Sequence, residues 1–217
     1  MGAKEYIQIL ERLGGLIRES HVVYASGLHG DAYINKDALY PHTNYTKWFC
    51  DGLAKGFADE SVDVVVGPEL GGIILSQHVA HHLTNMAGRD ILSLYAEKLR
   101  DGTKGFHFNR GYDAFIRDSN VLIVEDVLTT GGSVRKVVEA VRACGGVVTG
   151  VAALCNRGNV TCEQLGGVPR LHSLFDLEMN SYTEEECPLC ATGIPIRTDI
   201  GKGASYLKKL RFHAKTE

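Results

Sequence analysis

The stretch VLIVEDVLTTGGSV, residues 121–134, joins an apolar run to two adjacent carboxylates and then to a cluster of hydroxyl and glycine residues. The apolar run predicts a buried strand that ends at Glu125 and Asp126. The small residues from Thr129 to Ser133 let backbone N–H groups converge on an anion at the start of the next helix. The carboxylates repel phosphate but accept hydrogen bonds from hydroxyl groups. The stretch therefore predicts a binding site for a sugar phosphate.

This loop differs from two familiar phosphate-binding motifs. No lysine follows its glycines, which excludes a Walker A motif, and its glycine spacing excludes the GxGxxG fingerprint of dinucleotide-binding folds. A polar turn with a helix cap is the simpler alternative. That alternative explains a strand ending in aspartate, but it does not explain the acidic pair together with the Thr-Thr-Gly-Gly-Ser run.

Apolar runs and helical patterns alternate through the rest of the chain. Five runs predict strands, at residues 62–67, 90–96, 120–126, 147–155 and 171–177. Helical spacing predicts helices at 71–83 and from Ser133 to the glycines at 145 and 146. The alternation predicts an α/β fold with a parallel sheet flanked by helices. Ligands bind such sheets beyond the carboxyl ends of the strands, where three loops leave: 67–72, 97–112 and 126–133.

The first 60 residues follow a less regular pattern. An apolar stripe over residues 3–19 predicts a helix, which Gly14 and Gly15 weaken. Two short strands are predicted around the turn-rich SGLHGD segment, and a helix from Asn44 to Ala58. We therefore interpret residues 1–217 as a single domain in three parts: an N-terminal appendage (1–60), an α/β core (61–160) and a C-terminal strand and tail (161–217).

Composition limits the partners. The chain of 217 residues is 44% hydrophobic and carries a formal net charge of −3, which gives no general attraction to nucleic acid or to an anionic membrane. No apolar run approaches the roughly 20 residues of a membrane span. The N-terminus lacks the features of a signal peptide, so a cytoplasmic location is expected.

Six cysteines are present, and only Cys187 and Cys190 have metal-ligand spacing. A zinc site would need further ligands, which Cys155 and Cys162 would supply if the fold brought them close. A tight turn fixed by Pro188 is the favoured interpretation. The histidines of the 71–83 helix are interpreted as a solvated helix face, because no third ligand accompanies them.

The 121–134 stretch resembles the phosphoribosylpyrophosphate (PRPP) binding motif of the type I phosphoribosyltransferases. VVYASGLHGDAYINKD, VVVGPELGGI, NRGN and EECPLCATGIPI resemble further segments of the orotate phosphoribosyltransferases. The resemblance implies a five-stranded parallel core with a small hood, formed partly by the N-terminal segment. It also implies PRPP and orotate as substrates, Mg²⁺ as cofactor and a homodimer. A purine or other base phosphoribosyltransferase and a non-catalytic PRPP-binding regulator remain alternatives.

The resemblance implies roles for individual residues. Asp126 and Lys98 are the implied catalytic residues, Lys98 reaching the pyrophosphate. Residues implied to bind PRPP are Glu125, Asp126, Val127, Leu128, Thr129, Thr130, Gly131, Gly132, Ser133, Glu69, Leu70, Gly71 and Lys98. Residues implied for a lid are Arg100, Lys104 and His107, and residues implied for the base are Arg157, Lys36, Tyr33 and Ser26. No side chain is assigned as a direct metal ligand, although Asp126 and Glu125 lie where Mg²⁺ would sit with pyrophosphate.

The sequence also departs from the orotate enzymes. Their lid usually begins Arg-Lys, whereas this chain reads Glu97-Lys98 and has Asp101 where a further lysine would fall. Ala25 stands where a lysine commonly precedes the first Ser-Gly. These changes concern the lid and the base rather than the PRPP loop.

Overall fold

The computed structural model describes residues 2–24, 26–100 and 105–213. Ala25, Asp101 and Lys104 lie outside the described residues. The chain divides into two compact units. The first contains Met1–Tyr6 and Leu39–Leu177, and the second combines Ile7–Ala38 with Glu178–Glu217. The boundaries at 60 and 160 remain a prediction.

The secondary structure elements are numbered in chain order. The helices are α1 (Ala3–Arg12), α2 (Thr43–Lys55), α3 (Gly71–Ala87), α4 (Tyr112–Ile116), α5 (Gly132–Ala143), α6 (Pro188–Ala191) and α7 (Gly203–His213). The strands are β1 (Leu16–Ile17), β2 (Val22–Val23), β3 (His29–Gly30), β4 (Tyr33–Ile34), β5 (Val64–Pro68), β6 (Leu92–Lys98), β7 (Phe106–His107), β8 (Asn120–Leu128), β9 (Val147–Asn156) and β10 (Leu171–Asp176).

The first unit is built on a mostly parallel sheet. Among the described residues its strand order is β10-β9-β8-β5-β6-β7, and only β7 is antiparallel to its neighbour. The five parallel strands are those predicted from the apolar runs, which confirms the α/β fold. The short β7 is an addition that the sequence did not predict, because two residues carry no alternation.

Burial explains why β8 lies inside the sheet. Its side chains from Val121 to Asp126 are all buried, as expected for a strand covered on both faces. One face is covered by a stripe of α5 that recurs at helical spacing, namely Val134, Val137, Val138 and Val141. This packing fixes the position of the carboxyl end of β8, where the strand leaves the sheet.

The second unit contains two small antiparallel sheets, in which β1 pairs with β4 and β2 pairs with β3. The predicted helix over residues 3–19 is wrong beyond Arg12. Gly14 has a φ of +71° and Gly15 N–H donates to Leu10 O at 2.7 Å, so the helix closes there and Leu16 continues as strand. The SGLHGD segment is more than a turn, because it contains the two residues of β3.

Each helix in the described ranges is too short or too polar to span a lipid bilayer.

Candidate active site

Two buried carboxylates lie at the carboxyl end of β8. Glu125 and Asp126 are 9% and 8% exposed. Glu125 Oε1 accepts a hydrogen bond from the backbone N–H of Asp126 at 3.0 Å, and Asp126 Oδ1 accepts one from the N–H of Val127 at 2.7 Å. These backbone bonds fix the orientation of both carboxylates before any ligand binds.

Tyr40 completes the surroundings of Asp126. Its hydroxyl donates to Asp126 Oδ2 at 3.3 Å, across 86 positions of the chain. Sequence reasoning missed this residue, because Tyr40 belongs to no periodic pattern and precedes a proline in a loop. The tyrosine hydroxyl therefore helps to orient this carboxylate.

The loop after β8 surrounds a small cavity. The cavity has a volume of about 140 Å³ and is lined by Glu125 and by residues 127–134. Gly131 precedes α5 with a φ of +71°, which glycine adopts without strain. Thr129, Thr130 and Ser133 are exposed, so their hydroxyls and the first N–H groups of α5 are accessible to an anion.

The segment after β9 supports this loop from beneath. The N–H groups of Arg157 and Gly158 both donate to Leu128 O, at 2.9 and 3.2 Å. A Cβ on Gly158 would lie 1.7 Å from Thr129 O, so the close approach requires glycine. The buried Asn156 side chain donates to Val160 O at 3.0 Å and accepts from Val160 N–H at 2.9 Å. Sequence reasoning identified Arg157 but missed the supporting roles of Asn156 and Gly158.

The loop between β5 and α3 lies beside β6 at the same edge of the sheet. A Cβ on Gly67 would lie 2.0 Å from Gly72 O, so the chain turns back sharply here. The Glu69–Leu70 peptide bond is cis, and Leu70 is exposed. Gly71 begins the helix. The Glu69 side chain accepts the backbone N–H of Lys98 at 2.9 Å, which joins the two segments assigned to pyrophosphate.

Lys98 and Arg100 are exposed at the end of β6. The antiparallel β7 returns beside it, with Glu97 opposite His107 and Lys98 opposite Phe106. His107 is half-buried, and its Nδ1 has no hydrogen-bond partner among the described residues.

Glu97, which directly precedes Lys98 in β6, binds the segment that follows β7. Asn109 donates to it by a short hydrogen bond, and Arg110 lies 3.2 Å from it. These contacts lower the pKa of Glu97, the Asn109 hydrogen bond contributing most, and the same ion pair raises the pKa of Arg110.

The residues predicted for the base fall in both units. Arg157 is half-buried in the first unit, directly after β9. Ser26, Tyr33 and Lys36 belong to the second unit, where Lys36 pairs with Asp37 at 3.5 Å. Their joint role at a base remains a prediction.

Comparison with known proteins identifies the family. The family model of the phosphoribosyl transferase domain matches residues 46–174, more than half of the chain. The chain belongs to the phosphoribosyltransferase family. It is 37% identical over 199 residues to an orotate phosphoribosyltransferase of Caldanaerobacter subterraneus, covering 90% of this chain and 96% of the relative. It is 38% identical over 192 residues to that of Thermus thermophilus, covering 88% and 98%.

A solved structure agrees with these relatives. The orotate phosphoribosyltransferase of Mycobacterium tuberculosis in complex with Fe(III) dicitrate superposes with a TM-score of 0.64 and 25% identity, covering 81% of this chain and 96% of that one. The resemblance stated from the sequence is confirmed. Its enzyme class, a pentosyltransferase, is confirmed with it.

Proposed function

We propose that this protein transfers the 5-phosphoribosyl group of PRPP to a ring nitrogen of orotate, giving orotidine 5′-monophosphate and pyrophosphate. One observation carries the proposal: two fixed, buried carboxylates are followed directly by a glycine-rich loop around a cavity of about 140 Å³. Carboxylates suit the ribose 2- and 3-hydroxyls, and the loop suits the 5-phosphate. The name shared by the relatives supports orotate as the acceptor.

In this reaction the bond between ribose C1 and the pyrophosphate oxygen breaks, and a bond from the base nitrogen to C1 forms as that nitrogen loses its proton to the released pyrophosphate or to water. Positive charge develops on the ribose as pyrophosphate leaves. Asp126 would stabilise that charge, and Glu125 would orient the ribose hydroxyls. Glu69, Leu70 and Gly71 would present backbone groups to the pyrophosphate, which Lys98 would meet as a point charge.

Mg²⁺ belongs to the proposal as a cofactor. The donor set fits, because Glu125 and Asp126 bring carboxylate oxygens together at the end of β8, and Mg²⁺ prefers oxygen ligands. Bound with pyrophosphate, the ion would neutralise charge on the leaving group. Glu125 and Asp126 are the residues that would hold it, together with its retained water molecules.

Exclusion of water is the role proposed for the lid. The electrophilic ribose would react with water if water reached it, so a closing segment would shield the ribose during the transfer. Arg100 and His107 lie on the segment that leaves β6 and returns along β7, where a closing element is needed. We include in the proposal a homodimer, which size-exclusion chromatography with light scattering would detect as twice the chain mass.

The acceptor base is tested by incubating the protein with PRPP, Mg²⁺ and a panel of bases, and measuring pyrophosphate release. Orotate carries a carboxylate that uracil lacks, so a planar guanidinium at Arg157 suits it. We expect orotate to react fastest and uracil poorly, because uracil has no carboxylate to offer to the guanidinium. Faster turnover of hypoxanthine, guanine or xanthine would overturn orotate as the substrate.

Replacing Arg157 with lysine sharpens the assignment. Lysine keeps the charge but loses the two-pronged geometry, so kcat/KM for orotate should fall by about tenfold or more. Arg135→Lys is the matched control, because Arg135 is an exposed arginine of α5 paired with Glu139. Equal kinetics for the two variants would remove Arg157 from the base site.

A further inference from the structure

Four potential metal ligands meet inside the second unit. We call His21, His29, Cys187 and Cys190 the cysteine–histidine cluster. Their ligand atoms all lie within 4.8 Å of one another. Among the described residues, no other group of potential metal ligands is this close together. His21, His29 and Cys187 are each at most 1% exposed, and Cys190 is half-buried.

Three of the distances between ligand atoms match a tetrahedral zinc site. Bonds of about 2.3 Å to sulfur and about 2.0–2.1 Å to nitrogen give separations of about 3.3–3.8 Å between ligand atoms. Both cysteine Sγ atoms lie 3.7 Å from His21 Nε2, and Cys190 Sγ lies 3.3 Å from His29 Nδ1. The two ring nitrogens are closer, at 2.9 Å. A hydrogen bond between the two imidazole rings explains the 2.9 Å distance. It does not explain why two cysteine sulfurs also lie within 3.7 Å of these ring nitrogens.

Hydrogen bonding prepares His21 as a ligand. Its Nδ1 lies 2.6 Å from Ile194 O, and because a carbonyl oxygen only accepts, Nδ1 must carry the proton. The lone pair is therefore on Nε2, which faces the other three ligand atoms. Metal-binding histidines commonly donate their second N–H to a backbone carbonyl in this way.

The backbone fixes the other ligands. His29 exchanges two backbone hydrogen bonds with Tyr182, at 2.8 and 2.9 Å, and its ring packs edge-to-face on Tyr206. Cys187 directly precedes α6 and Cys190 lies within it, where Pro188 sets the backbone and Ala191 N–H donates to Cys187 O at 3.1 Å. The predicted proline-fixed turn therefore also brings both sulfur atoms close to the two histidine rings.

The cysteines considered from the sequence as partners are elsewhere. Cys155 lies in β9 of the first unit, where burial raises the pKa of its thiol to about 12. Within the described ranges neither Cys155 nor Cys162 belongs to the cluster.

We propose that His21, His29, Cys187 and Cys190 bind one Zn²⁺ ion as a structural site. Four protein ligands complete a tetrahedron, which leaves no position open for catalysis. Two nitrogens with two sulfurs favour zinc over magnesium or calcium, which prefer oxygen. The ion joins the β2–β3 hairpin to the α6 segment, and a unit with only short strands and helices gains most from such a link.

Metal content of the purified protein tests the proposal. Wild type, Cys190→Ser and the control Cys162→Ser are dialysed extensively, and zinc is measured by mass spectrometry. Wild type and the control should retain about one zinc ion per chain, and Cys190→Ser should lose most of it. Zinc-free wild type, or equal zinc in all three proteins, would overturn the site.

Cobalt replacement removes the dependence on a variant that folds. Wild-type protein, stripped by a chelator and then titrated with Co²⁺, should develop the visible absorption of tetrahedral cobalt and a thiolate charge-transfer band, saturating near one equivalent. A spectrum without thiolate bands, or a disulfide between Cys187 and Cys190 in freshly purified zinc-free protein, contradicts the proposal.

Discussion

The loop at 127–133 offers the backbone N–H groups of consecutive residues to an anion, whereas the cysteine–histidine cluster uses four side chains from residues 21–29 and 187–190. The loop is shaped by glycines and by the segment after β9, whose N–H groups at Arg157 and Gly158 both donate to Leu128 O. The cluster is shaped by histidine and cysteine side chains whose ligand atoms face one another. A site formed by backbone groups tolerates substitutions of its own side chains, but it does not tolerate substitutions of neighbouring residues that pack against its backbone. A side-chain site behaves in the opposite way.

The largest effect is expected at Asp126, the buried carboxylate that directly precedes the loop. Asp126→Asn keeps the size of the side chain but removes the carboxylate beside the reacting ribose. We expect kcat/KM for PRPP to fall on the order of 10²–10³-fold, with thermal stability little changed. Steady-state kinetics and circular dichroism measure the two quantities. Glu139→Gln on the exposed face of α5 is the control, and a similar loss in both variants would refute the role of Asp126.

The second effect separates the two regions. Cys187→Ser removes one buried ligand and should lower the free energy of unfolding by roughly 3 kcal/mol in urea titration, since loss of a metal belongs among the large single-mutation effects. The KM for PRPP should change less than about twofold. Cys162→Ser should leave both quantities near the wild-type values. A large rise in the KM for PRPP together with unchanged stability would contradict this separation.

The third effect tests the backbone of the loop from outside it. Gly158→Ala places a methyl group against Thr129 O, so the loop must shift or the strand end must move. We expect a stability loss of about 1–3 kcal/mol and about a tenfold rise in the KM for PRPP. Gly167→Ala is a matched control, because its φ of +68° gives backbone strain with no atom within 4 Å. It should lose stability without affecting PRPP.

The smallest effect is expected from a side chain of the loop itself. Thr130 is exposed, and its hydroxyl lies 3.4 Å from the N–H of Gly132. Thr130→Ala removes one neutral hydrogen bond, worth about 0.5–1.5 kcal/mol, so the KM for PRPP should rise only about threefold. If Thr130→Ala proved more damaging than Gly158→Ala in the same assay, the loop would depend on side chains after all.

The sequence predicted the features whose partners are close in the chain. Apolar runs such as Val121–Val124 identified the parallel strands, because burial on both faces leaves few polar positions. The PRPP loop was identifiable because its carboxylates, hydroxyls and glycines are contiguous. Gly14 was noticed as a weak point, but only its left-handed backbone shows that the helix ends there.

Features made by distant residues were not predicted. Tyr40 reaches Asp126 from a loop, and no spacing rule links the two. His21 and His29 lie at or in two-residue strands that carry no periodicity, so their meeting with the CxxC pair depends on the fold. The CxxC pair was the available signal. Its partners were sought among cysteines rather than among the histidines of the N-terminal segment.

The second unit is formed by two segments that lie far apart in the chain, and this has a consequence for synthesis on the ribosome. The first unit is almost one continuous stretch, so its sheet has all its strands once Leu177 has emerged. His21 and His29 emerge early, but Cys187 and Cys190 follow only after that whole stretch, which takes on the order of 10 s at about 5–20 residues per second. A nascent chain arrested between these points would carry a complete phosphate loop and an unfinished second unit. Delivery of the metal is therefore among the last steps in the maturation of this enzyme.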